Sequence, residues 1–139
     1  MGQQQLLLVI LVTIIVGVAT VIAITTFGNS SDAANMDAVR NEMISIGASA
    51  QGYFAKPEMI GGGSKNFAQM EFSDLIFGAD SISADGLTAY NANATYSFQS
   101  RTNEYVCLVA TPASDSTKEL HVDITDSDMI WYSVHGEAF

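Results

Sequence analysis

Charge is missing from the first 31 residues of this chain, and the first charged side chain is Asp32. All 15 Asp and Glu residues and all 5 Lys and Arg residues therefore follow residue 31, and the formal net charge is −10. So acidic a domain repels the phosphate backbone of nucleic acids, and we expect no nucleic-acid partner. The uncharged segment and the acidic remainder predict two regions with different surroundings.

Residues that carry most catalytic and metal chemistry are also scarce. The single cysteine, Cys107, excludes a disulfide within the chain, and no Cys/His cluster indicates a zinc or haem site. Cys107 lies in the apolar run EYVCLVA, where we expect a small buried residue. The two histidines, His121 and His135, have no Ser or Cys partner in a recognisable motif. We therefore expect no enzyme activity, no catalytic residue and no cofactor.

Three aspartates in DITDSD are weak candidates for a metal site. Asp123, Asp126 and Asp128 carry the hard oxygen ligands that Ca²⁺ prefers. Their spacing does not match an EF-hand loop, and Asp also begins turns by bonding nearby backbone groups. We expect no resident metal.

Two tripeptides match the acceptor sequence for N-linked sugar, which matters if the domain is exported. They are Asn29-Ser30-Ser31 and Asn93-Ala94-Thr95. Asn93 precedes a predicted strand and is expected to be exposed. Asn29 lies nearer the apolar segment and is the poorer candidate.

The segment from Leu6 to Phe27 consists of Leu, Val, Ile, Ala, Thr, Gly and Phe. About 20 such residues in a helix span the ~30 Å apolar core of a bilayer. A cleaved secretory signal has a basic start and a shorter apolar run. An ordinary membrane anchor carries Lys or Arg on one side and aromatic residues at the interfaces, whereas the flank here is MGQQQ. The pattern predicts an apolar helix over 3–30.

A second, amphipathic helical segment is predicted over 31–55. Gly28 and Asn29 can break the first helix, and Ser30, Ser31 or Asp32 can cap the next. Apolar residues then recur every three or four positions, which is the helical period. This stripe, expected to be buried, comprises Met36, Val39, Met43, Ile46 or Gly47, Ala50, and Tyr53 or Phe54.

The remainder, 56–139, predicts an acidic loop followed by an antiparallel sheet. GGGSKN reads as a flexible loop, residues 67–78 as short helical turns, and ADSISADG as a turn. Strands are predicted at 94–100, 104–110, 119–125 and 129–135, with an edge strand at 86–92. Their inward residues would be Tyr96, Phe98, Leu120, Val122, Ile124, Ile130, Tyr132 and Val134. The fold class is α+β: a long N-terminal helix packs its amphipathic half on a small antiparallel sheet.

This order of elements, together with GQQQLLLVILVTIIVGVATVIAITTF, resembles a type IV pilin. The resemblance implies that Met1-Gly2 is the remnant of a leader and that a prepilin peptidase cuts between Gly2 and Gln3. The common bacterial pattern has Glu at the fifth mature position, where this chain has Leu7, so the likeness is to variants with a Gln-rich start. Charge pairing at that position would then play no part in assembly.

The resemblance further implies a structural subunit, or major pilin, of an extracellular helical filament used in cell adhesion or motility. Its partners would be identical subunits, the inner membrane before assembly, and the assembly machinery. A minor pilin or pseudopilin of a secretion system, or a single-pass membrane-anchored ligand-binding domain, are the alternatives. The expected filament-core residues are Leu7, Ile10, Ile14, Val18, Val21 and Ile24.

Overall fold

The computed structural model describes residues 2–133, and the α+β prediction is confirmed. One long helix is followed by two short 3₁₀ helices and a six-stranded antiparallel sheet. The elements are α1 (Gly2–Ala55), 3₁₀ helices at Glu58–Ile60 and Phe72–Asp74, β1 (Ser81–Ile82), β2 (Thr88–Tyr90), β3 (Ala94–Arg101), β4 (Val106–Pro112), β5 (Leu120–Ile124) and β6 (Met129–Ser133).

The predicted break between two helices at Gly28 and Asn29 is wrong for the isolated chain. Both residues lie within α1, as do Gly17 and the expected cap residues Ser30–Asp32. A glycine in a helix costs only about 1 kcal/mol relative to alanine. Helical hydrogen bonds propagate cooperatively from both sides, and this outweighs so small a local penalty.

The chain divides into two compact units at the bond between Ala34 and Asn35. The first unit contains the uncharged part of α1 and extends through Asp32 to Ala34. The second, which we call the head, contains the rest of α1 and the whole sheet. All buried apolar residues of the described chain belong to the head.

The sheet of the head is a meander in which the strand order follows the chain order, β1 to β6. The four longer strands lie within two residues of their predicted starts. β2 pairs with β1 as well as β3, so it is not the edge strand that we predicted. The edge strand β1 instead comes from ADSISADG, which we had interpreted as a turn.

The head core forms between the helix stripe and the inner face of the sheet. The predicted stripe is confirmed from Val39 onward: Val39, Met43, Ile46, Gly47, Ala50 and Tyr53 are buried. Met36, the first residue of the predicted stripe, is half-buried and packs against this core. A Cβ on Gly47 would lie 2.3 Å from Cε of Met129, so glycine lets β6 approach the helix closely.

The loop between α1 and β1 contributes more to the core than its sequence indicates. It buries Phe67, Met70, Phe72 and Leu75, although only 72–74 is helical within the predicted 67–78 region. The ring of Phe72 stacks on that of Phe98 in β3, with centroids 4.1 Å apart. The loop therefore covers one part of the sheet where the helix does not.

The inner face of β6 was predicted wrongly. Trp131 pairs with Val122, and Met129 with Ile124, so these two residues share the core face of β5 and pack against the core. Ile130 pairs with Asp123 on the other face and is 47% exposed. The one-residue shift reverses the face of every side chain, Tyr132 included. Val134 lies outside the described residues.

Candidate functional site

Within the described residues, the first unit presents an apolar helix surface whose side chains are exposed. Every residue from Leu6 to Phe27 is exposed, and the large apolar side chains are between 48% exposed (Ile10) and 78% exposed (Phe27). A contiguous apolar surface of this kind indicates contact with a membrane or with protein. The six expected core residues Leu7, Ile10, Ile14, Val18, Val21 and Ile24 all contribute to it.

Three of the four threonine hydroxyls on this surface donate hydrogen bonds to the backbone of the helix itself. Thr13 and Thr20 each donate a hydrogen bond of 2.7 Å to a carbonyl oxygen one turn earlier, on Val9 and Val16. Thr25 donates similarly, at 3.0–3.1 Å, to carbonyls of the preceding turn. Because these hydroxyls need no water, the segment can enter lipid or a dry protein core.

By length and composition α1 is able to cross a membrane. The first helical residue is Gly2, Gln3 is exposed, and the first turn contains no acidic residue. No side chain from Leu6 to Phe27 is charged, so none of them can form an ion pair with a neighbouring subunit.

The head contains a second feature, a carboxylate held by three donors. Glu42 on α1 accepts hydrogen bonds from the amide of Asn91 at 2.7 Å, the amide of Asn93 and the hydroxyl of Tyr96. We call these four residues the Glu42 cluster. They join the helix to the start of β3 and the turn before it.

In the Glu42 cluster, the carboxylate of Glu42 is deprotonated and the phenol of Tyr96 keeps its proton. Burial acts to raise the pKa of Glu42, but the hydrogen bonds from Tyr96 and the two asparagines outweigh it, and the pKa falls below its ordinary value of 4.5. Burial first, and then the hydrogen bond to Glu42 and its charge, raise the pKa of Tyr96. The carboxylate is therefore ionised and the phenol neutral at physiological pH.

We expect Glu42→Gln to destabilise the head by about 1–3 kcal/mol at neutral pH. The neutral amide of glutamine has only one acceptor oxygen and no negative charge, so it cannot replace the carboxylate as acceptor for all three donors. Because the pKa of Glu42 is lower in the folded protein than in the unfolded chain, its ionised carboxylate stabilises the fold above pH 4.5. This stabilisation is lost as the pH falls through the pKa of Glu42 in the folded protein. The difference between wild type and Glu42→Gln should therefore shrink in acid. Urea unfolding of both proteins across this pH range measures it. A difference independent of pH would contradict the assignment.

Sequence reasoning missed this cluster, because Glu42 lies outside the predicted apolar stripe of the helix. Its partners follow 49–54 residues later in the chain. Its helix neighbours Val39, Met43 and Ile46 are all buried, and this is the signal that Glu42 borders the core.

We predicted that Asn93, the better candidate for a sugar, is exposed, and this prediction is wrong. Asn93 is half-buried, its side-chain nitrogen is bonded to Glu42, and its carbonyl accepts a 3.1 Å hydrogen bond from Asn35. Asn29, by contrast, is exposed on α1. The order of the two candidates is therefore reversed on accessibility.

We expect no sugar on Asn93 of the folded protein, because its amide nitrogen is already bound. Mass mapping of the peptides that contain Asn29 and Asn93, in protein purified from its own cells, tests this. A sugar on Asn93 would mean that attachment precedes folding and that the Glu42 cluster does not form in the mature protein.

The three candidate calcium ligands do not form a site. Among residues 2–133 no three His, Cys, Asp or Glu side chains are grouped so that they could hold a metal ion. Asp123 lies within β5, while Asp126 and Asp128 are exposed in the turn that follows. The turn is closed instead by Thr125, whose N–H donates to the carbonyl of Asp128 at 2.9 Å.

Two other side chains of possible reactivity, Cys107 and His121, lie on the outer face of the sheet. Cys107 pairs with Asp123 and is half-buried, so it does not point into the core as predicted. Burial, followed by the hydrogen bond and charge of Asp123, raises the pKa of this thiol to about 12. The thiol therefore stays protonated and is a poor nucleophile. His121 lies 3.2 Å from the carboxylate of Glu119, and His135 is outside the described residues.

No family model, no curated protein and no solved structure matches the chain.

Proposed function

We propose that this chain is a structural subunit, a major pilin, of an extracellular filament similar to a type IV pilus. The observation that supports it most is the exposed apolar helix surface from Leu6 to Phe27, which carries no charged side chain. The head encloses its own core, so this surface is free to pack against copies of itself. The six residues from Leu7 to Ile24 would lie in the centre of the polymer.

A filament accounts for the distribution of charge along the chain. A helix that first lies in lipid and later in a protein core meets no water in either place, and an unpaired charge there is costly. The acidic head would face solvent, where its charge favours solubility and opposes lateral clumping.

Before assembly the subunit would be held in the inner membrane by α1, which is long and apolar enough to cross it. A prepilin peptidase would cut after Gly2, leaving Gln3 first, and an assembly machine would add subunits to the growing filament. We propose no catalytic role, cofactor or nucleic-acid partner.

In the polymer, α1 would bend or open near Gly17 or over 25–31, because glycine and β-branched threonine lose least by leaving helical geometry.

The test is electron microscopy of material sheared from the cell surface, with N-terminal peptide analysis of its main protein. Abundant filaments made of this chain support the proposal. Short, scarce assemblies that depend on another major subunit would indicate a minor pilin or pseudopilin. Protein that stays monomeric in the membrane fraction would favour an anchored binding domain.

A further inference from the structure

The proposed cut after Gly2 creates a problem at the N-terminus of α1. It would leave an α-ammonium group on Gln3, which has an ordinary pKa of about 7.7–8.0 and is charged at physiological pH. No side chain before Asp32 carries an opposite charge. In a subunit that packs through this segment, the ammonium would be an isolated charge.

The helix makes that charge less favourable still. The first N–H groups of a helix have no intrahelical partner and carry a partial positive charge. In α1 no acidic residue lies in the first turn to offset it. A cation added at this end, in surroundings without water, is repelled by the helix and has no counter-ion within the segment.

We infer that Gln3 removes the charge by closing on itself to form pyroglutamate, an inference that rests on the proposed processing. The α-amine nitrogen attacks Cδ of the side-chain carboxamide. A C–N bond forms, the Cδ–Nε2 bond breaks, and Nε2 leaves as ammonia with the proton that the amine gives up. No oxidant or second reactant is needed, and the product is a neutral five-membered lactam.

The position of the three glutamines suits this reaction. Among them, a cut after Gly2 gives a free α-amine only to Gln3, and the exposed side chain of Gln3 is accessible for ring closure. Gln4 and Gln5 remain as neutral amides in the exposed first turn of the helix. They can donate and accept hydrogen bonds at neighbouring N-termini without the cost of burying a charge.

The direct test is the mass of the N-terminal peptide from freshly prepared, acid-quenched protein made in its own cells. We expect a peptide that begins at Gln3 and is lighter by one ammonia molecule, and that becomes readable by stepwise degradation only after pyroglutamyl aminopeptidase treatment. A peptide beginning at Gln3 with a free amine overturns the lactam but leaves the proposed filament intact. A different N-terminus also overturns it.

A matched pair of variants tests whether the lactam matters for assembly. Gln3→Asn keeps a side-chain amide but would need a four-membered ring, so it retains the ammonium; Gln4→Asn leaves the lactam unaffected. We expect filament yield to fall about tenfold or more for Gln3→Asn, equivalent to a penalty of at least ~1.4 kcal/mol, and to change little for Gln4→Asn.

The pH dependence of filament thermal stability shows whether Gln3→Asn weakens assembly through the retained ammonium charge or through altered packing. Filaments of Gln3→Asn should gain thermal stability as the pH rises through about 8, where the amine loses its proton, while wild-type filaments should not. Equal yields and pH profiles for both variants and the wild type would overturn the role of the lactam. Absence of any filament in wild-type cells would instead contradict the proposed function. The mass of the N-terminal peptide can be measured whether or not filaments form, so the two failures are distinguishable.

Discussion

Val16→Asp is expected to eliminate surface filaments while leaving the head folded. Val16 is 57% exposed on the first unit and lies in the middle of the uncharged segment. If this segment is the core of a polymer, each added subunit would bury a new carboxylate with no partner. A charge at such a site costs several kcal/mol per copy, so assembly should fall below detection.

The experiment compares Val16→Asp with Val16→Ile, which keeps the apolar surface, by electron microscopy of sheared material. The thermal transition of the detergent-solubilised protein checks the head, whose core contains no residue of the first unit. We expect filaments from Val16→Ile and none from Val16→Asp, with the same melting temperature for both. Normal filaments from Val16→Asp would show that the apolar segment is not their core, and the pilin proposal would fail.

Ile46→Asp is expected to unfold the head. Ile46 is fully buried on the helix stripe that faces the sheet. Aspartate there removes a large apolar side chain and leaves a carboxylate without water or a partner, which together should cost on the order of 4 kcal/mol or more. A small domain has only about 5–15 kcal/mol of stability, so most of it would be lost.

The chain supplies its own control two residues earlier. Ile44 is on the same helix but is 49% exposed, so Ile44→Asp should change stability by no more than about 0.5 kcal/mol. Thermal unfolding of truncated forms that lack residues 1–30 compares the two, and Val39→Asp should behave like Ile46→Asp. Similar melting of the Ile44 and Ile46 variants would contradict the packing of the helix on the sheet.

Local sequence patterns were sufficient to predict the helix stripe and the inner faces of two strands, β3 and β5. Val39, Met43, Ile46 and Ala50 recur at helical spacing, and Leu120, Val122 and Ile124 alternate as a half-buried strand does. These patterns are reliable because a face must be apolar along its whole length to be buried. The absence of charge before Asp32 likewise follows from the sequence alone.

Other features depended on contacts between distant residues. In β6 both Trp131 and Tyr132 are large and apolar enough to face inward, and only the pairing with β5 placed Trp131 on the core side. The bulk of Met129 is accommodated by Gly47, far away in the chain. Local pattern cannot distinguish two adjacent aromatic residues, since a shift of one residue moves each to the opposite face.

The sequence by itself determined that one end of the chain is apolar and uncharged and that the other is an acidic α+β head. Those properties are carried by composition and by the period of single elements, which need no long-range contact. Only the tertiary structure showed that Glu42 is held by Asn91, Asn93 and Tyr96, and that Asn93 is half-buried with its side chain engaged. A polar side chain reads the same in sequence whether its partner is water or protein, and only the fold decides which one it meets.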